Sequence, residues 1–300
     1  MHFNTPLITE RFGDIETHLK MECDQPTGSF KIRGIGRLCR FAREQGAAAV
    51  VSSSGGNAGL AAAYAARELG MSCSVIVPET TPQLTVDRLG ALGAQVRQEG
   101  RDWDAADALA RQVVEQEQAF YVHPFDHPEI WAGHATLIHE AADLMEPPDA
   151  VVVAVGGGGL LSGLAAGMAD VGWGEVPLVA VETEGAASLN AAVAADALVD
   201  LDTIDTIAIT MGARRVASQA LTWTRRRPVQ TVTVSDAQAL AGSVRFANDQ
   251  RRLVEPACGA ALAVVYEALI PVRRPLVVVC GGAGVTLDLL RSWGEQLDQP

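Results

Sequence analysis

"AVVVAVGGGGLLSGLAAGMAD", residues 150–170, decides the fold. A short apolar run rich in valine reads as a strand buried on both faces. Four glycines at 156–159 then turn the chain into a helix of small residues. A buried strand feeding a helix through a tight loop is half of a βαβ unit.

Working outward from there, the same alternation continues in both directions. Upstream, "AAAVVSS" (47–53), "SCSVIVP" (72–78), "AQVRQ" (94–98) and "AFYVH" (119–123) read as strands. Helices are expected over 57–69, 82–92, 102–117 and 127–145, two of them stopped by Gly70 and Gly93. Downstream, "PLVAVET" (177–183), "VQTVTVS" (229–235) and "PLVVVC" (275–280) are further strands. Ser235, followed by Asp236, is an N-cap for a helix running through Val244. Strands alternating with helices over short connections predict parallel sheets covered by helices. The pattern predicts two α/β lobes with a ligand cleft between them.

Composition narrows the function. Three hundred residues with 48% apolar content can build a large core. A formal charge of −13, with no basic stripe, argues against a nucleic-acid partner. The Arg225–Arg226–Arg227 run is expected to cap a helix end. The five cysteines, 23, 39, 73, 258 and 280, form no CxxC pair and read as reduced thiols rather than disulfides or a zinc site. No signal-peptide pattern and no apolar run of transmembrane length is found, so no membrane partner and a cytoplasmic location are expected.

Three loops share one design. "VSSSGGNAGLAA" (51–62) places serines, glycines and Asn57 at a helix start, where free N–H groups bind anions; a plain N-cap is the alternative. "VGGGGLLSG" (155–163) offers bare backbone N–H groups to a phosphate; tight strand–helix packing is the alternative. It matches neither the G-x-x-x-x-G-K-[ST] nor the G-x-G-x-x-G pattern, so ATP and NAD are not indicated. "VVVCGGAGVTL" (277–287) puts Cys280 at the end of a strand, where α/β ligands gather. Alone, Cys280 would read as a small core residue.

"TGSFKIRG" (27–34) sets Lys31 between Phe30 and a glycine turn. A snorkelling lysine at a helix start is one reading; a lysine with chemistry is the other. Beside a phosphate cradle and a carboxylate loop, the second reading describes pyridoxal phosphate and an amino-acid substrate.

These segments also carry a resemblance. "QPTGSFKIRGIG" (25–36), "SSSGGNAGLAAAYAARELG" (52–70), "HPFDHPEIWAGHATLIHE" (123–140), "VGGGGLLSGL" (155–164), "VEPACGAAL" (254–262) and "VVVCGG" (277–282) run in the order found in fold type II pyridoxal-phosphate enzymes. Within that family the chain resembles the L-serine/L-threonine dehydratases of the short, serine-dehydratase-type branch. The resemblance implies an α/β fold like tryptophan synthase β, with two open, twisted, mostly parallel sheets flanked by helices. It implies a large domain of residues 1–33 and 126–300, with a smaller domain inserted at 34–125.

The resemblance also implies roles. Lys31 is similar to the Schiff-base lysine, and Phe30 to the residue packed beside the cofactor. Asn57 matches the partner of the cofactor's ring hydroxyl. Ser54, Gly55, Gly56, Asn57 and Ala58 match the substrate-carboxylate loop. Gly156, Gly157, Gly158 and Gly159 match the phosphate loop, where a side chain is expected to disturb the anion but not the fold. Cys280 matches the residue facing the pyridine nitrogen. Gly55 stands where relatives often carry alanine and is expected to widen the pocket near the substrate's β-carbon. Glu182, Ala186, Met211 and Ala213 match a K⁺ site; a helix cap or an arginine partner is the other reading of Glu182. The implied activity is elimination of ammonia from L-serine and L-threonine by a homodimer. β-Replacement of the cysteine-synthase type, serine racemisation and an inactive cofactor-binding regulator are the rivals.

Overall fold

The computed structural model describes residues 1–297, apart from the side chain of Asp104. A hairpin opens the chain: Leu7–Phe12 (β1) and Ile15–Lys20 (β2), turning at Gly13 with φ +60°. Then come Lys31–Glu44 (α1), Ala49–Ser52 (β3), Asn57–Leu69 (α2), Ser72–Val77 (β4), Gln83–Ala91 (α3) and Gln95–Gln98 (β5). Trp103–Glu117 (α4), Phe120–Tyr121 (β6), Pro128–Ala142 (α5), Val151–Ala154 (β7), Gly159–Asp170 (α6) and Leu178–Thr183 (β8) follow. The last third holds Ser188–Ala195 (α7), Ser218–Arg226 (α8), Val229–Val234 (β9), Asp236–Gln250 (α9), Pro256–Tyr266 (α10), Leu276–Val278 (β10) and Leu287–Leu297 (α11).

Two sheets result. One has four strands in the order β5-β4-β3-β6, all parallel. The other has six, β1-β2-β10-β7-β8-β9, parallel except for the β1/β2 pair. The valines of β7 and β10 are fully buried, each worth roughly 1.5–3 kcal/mol of burial. A core cluster lies around each sheet. Helix α1 packs on α2 and on α5, and α5 packs on α6, so these helices join the two sheets.

The structure departs from the sequence reading in places. The hairpin was not foreseen, because β1 is an edge strand with only partly buried side chains. Helix α9 extends past Val244 to Gln250, and its cap is a full capping box of Ser235 and Gln238. The arginine run does end a helix as expected, with Arg225 and Arg226 in the last turn of α8 and Arg225 also paired with Asp196. Arg227 instead turns inward and donates to the carbonyls of Ala165, Trp173 and Val176. Among the described residues, no helix is long and apolar enough to cross a membrane. All five cysteines are free.

Candidate active site

The C-terminal ends of β3, β7 and β10 open onto one cavity of about 930 Å³. Ligands of α/β sheets gather at such ends. Its lining brings together Phe30, Lys31, Ser54 to Ala58, Gly156 to Gly159 and Cys280. Met211 and Ala213 also reach it, whereas Glu182 and Ala186 are buried and do not line it.

Lys31 is the first residue of α1. The segment before it is strapped to the end of β10. Gly282 N donates to Gly28 O at 2.8 Å and Phe30 N to Cys280 O at 3.2 Å, which sets Lys31 and Cys280 on one floor. The Lys31 amine donates to the Pro124 carbonyl at 2.7 Å. Burial pushes its ammonium down to about 8, against the opposing pull of Cys280 and Glu255.

Behind Lys31, α1 is anchored by buried charges. The Arg33 guanidinium grips Glu22 at 2.6 and 2.8 Å and Glu140 at 2.6 and 2.7 Å. Lys20, the other lysine of the chain, is fully buried and donates to Glu140 at 2.7 Å and to Thr5 O at 2.6 Å. Two cations thus meet two anions, and Lys20 is held away from the cavity.

The loop 54–58 is fixed from several sides. Ser53 Oγ donates to Asp107 at 2.7 Å and lies 3.1 Å from the Tyr121 hydroxyl. Gly59 closes the turn: a Cβ there would stand 1.7 Å from Ser54 O. A methyl on Gly55 would meet Val77 Cγ1 at 3.0 Å, with Thr85 and Thr81 next nearest. The expectation that Gly55 simply widens the pocket is therefore corrected, since its missing methyl faces the packed wall behind the loop. Asn57 accepts from Ala283 N at 2.9 Å and donates to Glu255 Oε2 at 3.0 Å.

The glycine run does two jobs. Among the described residues, the N–H groups from Gly156 to Leu161 have no protein acceptor, and they sit at the start of α6. Such a row of donors at a helix N-terminus suits a phosphate. The run is also packed tightly. A Cβ on Gly157 would lie 2.4 Å from the Phe125 ring, and one on Gly159 the same distance from Phe125 O. Gly158 has φ +82° with Ala220 and Val216 close by. The expectation that a side chain at Gly157 leaves the fold intact is thus corrected.

Glu182 is buried and caps α7: its oxygens accept from Leu189 N and Asn190 N, both at 2.8 Å. Burial raises its carboxyl to about 7. Ala186 lies in the turn before α7; Met211 and Ala213 lie in the loop beside Gly156.

Two participants escaped the sequence reading. Phe125 packs the glycine run from the segment "HPFDHPEIWAGHATLIHE" (123–140), which carried the resemblance but gave Phe125 no role. Glu255 carries a carboxylate into the cavity beside Lys31 and Asn57. The only signal for it was the quoted segment "VEPACGAAL". An amine with a depressed pKa, an unused row of N–H donors and an amide with a spare donor fit one aldehyde-bearing aromatic phosphate.

The family model described as "pyridoxal-phosphate dependent enzyme" matches residues 1–281. The chain belongs to that family. It is 44% identical to human L-serine dehydratase/L-threonine deaminase, over 99% of this chain and 96% of that one. It is 42% identical to human serine dehydratase-like protein, over 99% and 95%. Among solved structures, the L-serine ammonia-lyase of the fungus Rhizomucor miehei superposes with a TM-score of 0.94 at 35% identity, covering 98% of both chains. The processed threonine deaminase isoform 2 of Solanum lycopersicum gives 0.90 at 26% identity, over 98% of this chain and 83% of that one. These neighbours share the α/β architecture of two mostly parallel sheets flanked by helices.

Proposed function

We propose that this chain is a pyridoxal-phosphate-dependent ammonia-lyase that converts L-serine to pyruvate and ammonia, and L-threonine to 2-oxobutanoate and ammonia. The observation that carries the reading is Lys31. It is an amine with its pKa lowered to about 8, held inside a cavity that also offers a phosphate-sized row of N–H donors. Near-full-length identity to serine and threonine dehydratases supports the substrate class.

The residues take the following roles. Lys31 would attach the cofactor, and Phe30 would pack beside it. Gly156, Gly157, Gly158 and Gly159 hold the phosphate through backbone N–H groups. Asn57 would donate to the cofactor's ring oxygen, and Cys280 would stand on the side of its ring nitrogen. Ser54, Gly55, Gly56, Asn57 and Ala58 receive the substrate carboxylate at the start of α2. When bound, the cofactor supplies an electron sink that acidifies the substrate's Cα–H. Lys31, once its amine is free, accepts that proton; a base with a pKa near the working pH is suited to this.

A K⁺ ion beside Glu182 belongs to the same reading, with the carbonyls of Ala186, Met211 and Ala213 as companions. Two observations favour it. Glu182 is a buried carboxylate that accepts from two backbone N–H groups and forms no ion pair among the described residues. The hydroxyls of Ser188 and Thr183 nearby in sequence are buried and have no partner. Oxygen donors of this kind suit a hard cation. The domain division at 1–33 with 126–300 and 34–125, the cytoplasmic location and the homodimer complete the reading; five free thiols suit a reducing compartment.

The test is purified protein with the cofactor and L-serine or L-threonine. Pyruvate and 2-oxobutanoate with stoichiometric ammonia are expected. D-Serine as the main product would establish racemisation, thioether formation with an added thiol would establish β-replacement, and no turnover would establish a regulator.

A further inference from the structure

The carboxylate of Glu255 begins α10, on the side of the six-stranded sheet, and is only 6% exposed. Its Oε1 accepts from Gly284 N at 2.8 Å. Its Oε2 accepts from Thr210 Oγ1 at 2.9 Å and from Asn57 Nδ2 at 3.0 Å. Burial raises its carboxyl, while these three donors and the Lys31 charge work the other way. No step assigned above uses it.

What Glu255 does follows from Asn57. An amide has two ends, and either can face a hydroxyl. Here both ends are dictated. Ala283 N is only a donor, so the side-chain oxygen of Asn57 must face it. The NH₂ group must then face Glu255, an acceptor. One N–H is taken by the carboxylate, and the second remains for a ligand. Asn57 belongs to α2, beside the four-stranded sheet, so the bond also crosses between the two sheets.

We propose that Glu255 is a positioning residue: it fixes the Asn57 amide so that its second Nδ2–H points at the ring oxygen of the bound cofactor. This rests on the reading that the cavity binds pyridoxal phosphate. Glu255 itself gives and takes no proton from substrate. Its effect is to keep Asn57 a donor, and a donor to that oxygen stabilises its ionised form and so sets the colour of the bound cofactor. Glutamine is the discriminating substitution. It fills the same space, but one end becomes a donor. With its oxygen on Gly284 N, its NH₂ group faces the NH₂ group of Asn57. The Thr210 hydroxyl can rotate to accept; Asn57 cannot turn without setting its own NH₂ group against Ala283 N–H.

The experiment uses holoenzyme of wild type, Glu255→Gln, Asn57→Ala and the double variant. The absorption band of bound cofactor is titrated with pH, and cofactor affinity is measured by equilibrium dialysis. Glu255→Gln is expected to move the midpoint of the band in the same direction as Asn57→Ala and to weaken affinity about tenfold, the scale of a hydrogen bond to a charged group. The double variant is expected to match Asn57→Ala alone, because the two residues act as one unit. Should Glu255→Gln not fold, Glu255→Asp keeps the acceptor and is expected to give a smaller shift of the same sign. A wild-type midpoint in Glu255→Gln, or additive effects in the double variant, would overturn the proposal. A wild type that forms no cofactor band would overturn the reading of the cavity and this proposal with it.

Discussion

The Lys31 amine lies 2.7 Å from the carbonyl oxygen of Pro124, which stands 93 residues later in the chain. That bond joins the start of α1 to the segment between β6 and α5 and points the lysine into the cavity. Burial nevertheless disfavours its charge, lowering the pKa from 10.5 to about 8. Between those values the folded chain holds fewer protons than the unfolded one, so this lysine's contribution to stability rises with pH. Lys31→Met apoprotein should therefore be more stable than wild type near pH 7. Its advantage should shrink as pH rises to about 10.5. Denaturant midpoints across that range check this; a constant difference would mean that the lysine is not held at a depressed pKa.

Gly157 faces the Phe125 ring so closely that a Cβ would sit 2.4 Å away. Gly157→Ala should lose about 1–3 kcal/mol of stability by overpacking, together with cofactor affinity. Phe125→Ala added to it should restore part of the stability. Thermal midpoints of the apoproteins decide the matter: an unchanged midpoint in Gly157→Ala would remove the packing role of this glycine.

Arg33 closes a buried network of two cations and two carboxylates directly behind Lys31. Removing one member leaves Glu22 buried and uncompensated. Arg33→Met should cost about 3–5 kcal/mol, the usual penalty for breaking such a pair. Urea denaturation measures it, and a loss below about 1 kcal/mol would show that solvent reaches and relieves the network.

Glu182 carries a raised pKa of about 7, above its ordinary 4.5. The folded chain therefore holds the extra proton in that window, and stability falls as pH rises through it. A bound cation would offset this only when the carboxylate is ionised. K⁺ should raise the thermal midpoint of wild type at pH 8 more than at pH 5, relative to a bulky organic cation. It should do little in Glu182→Gln, which keeps one of the two capping acceptors. Equal midpoints in both salts at pH 8 would remove K⁺ from the account.

The α/β alternation was legible because β3, β4, β7, β8 and β10 are largely apolar runs and two of the helices between strands stop at Gly70 and Gly93. The β1/β2 hairpin was not, because β1 is a half-exposed edge strand and β2 buries polar residues, Thr17, His18 and Lys20, where a core strand would carry apolar ones. Sequence pattern and family resemblance together singled out Lys31, Asn57 and the glycine run, and the structure sets all three around one cavity. What could not be read was the reason for each glycine. Gly55 and Gly157 are small for the sake of Val77 and Phe125, partners that no local pattern names. Glu255 was hidden for a related cause. A glutamate before a proline-capped helix looks like an ordinary helix start, and its partners Asn57 and Gly284 come from distant parts of the chain.

The two lysines of the chain allow one direct measurement of the central claim. Lys20 is fully buried and bound to Glu140 and Thr5, whereas Lys31 lines the cavity. Holoenzyme reduced with borohydride, digested and mapped by mass spectrometry should carry the pyridoxyl group on the peptide containing Lys31. A pyridoxyl group on Lys20, or none on either lysine, would contradict the account.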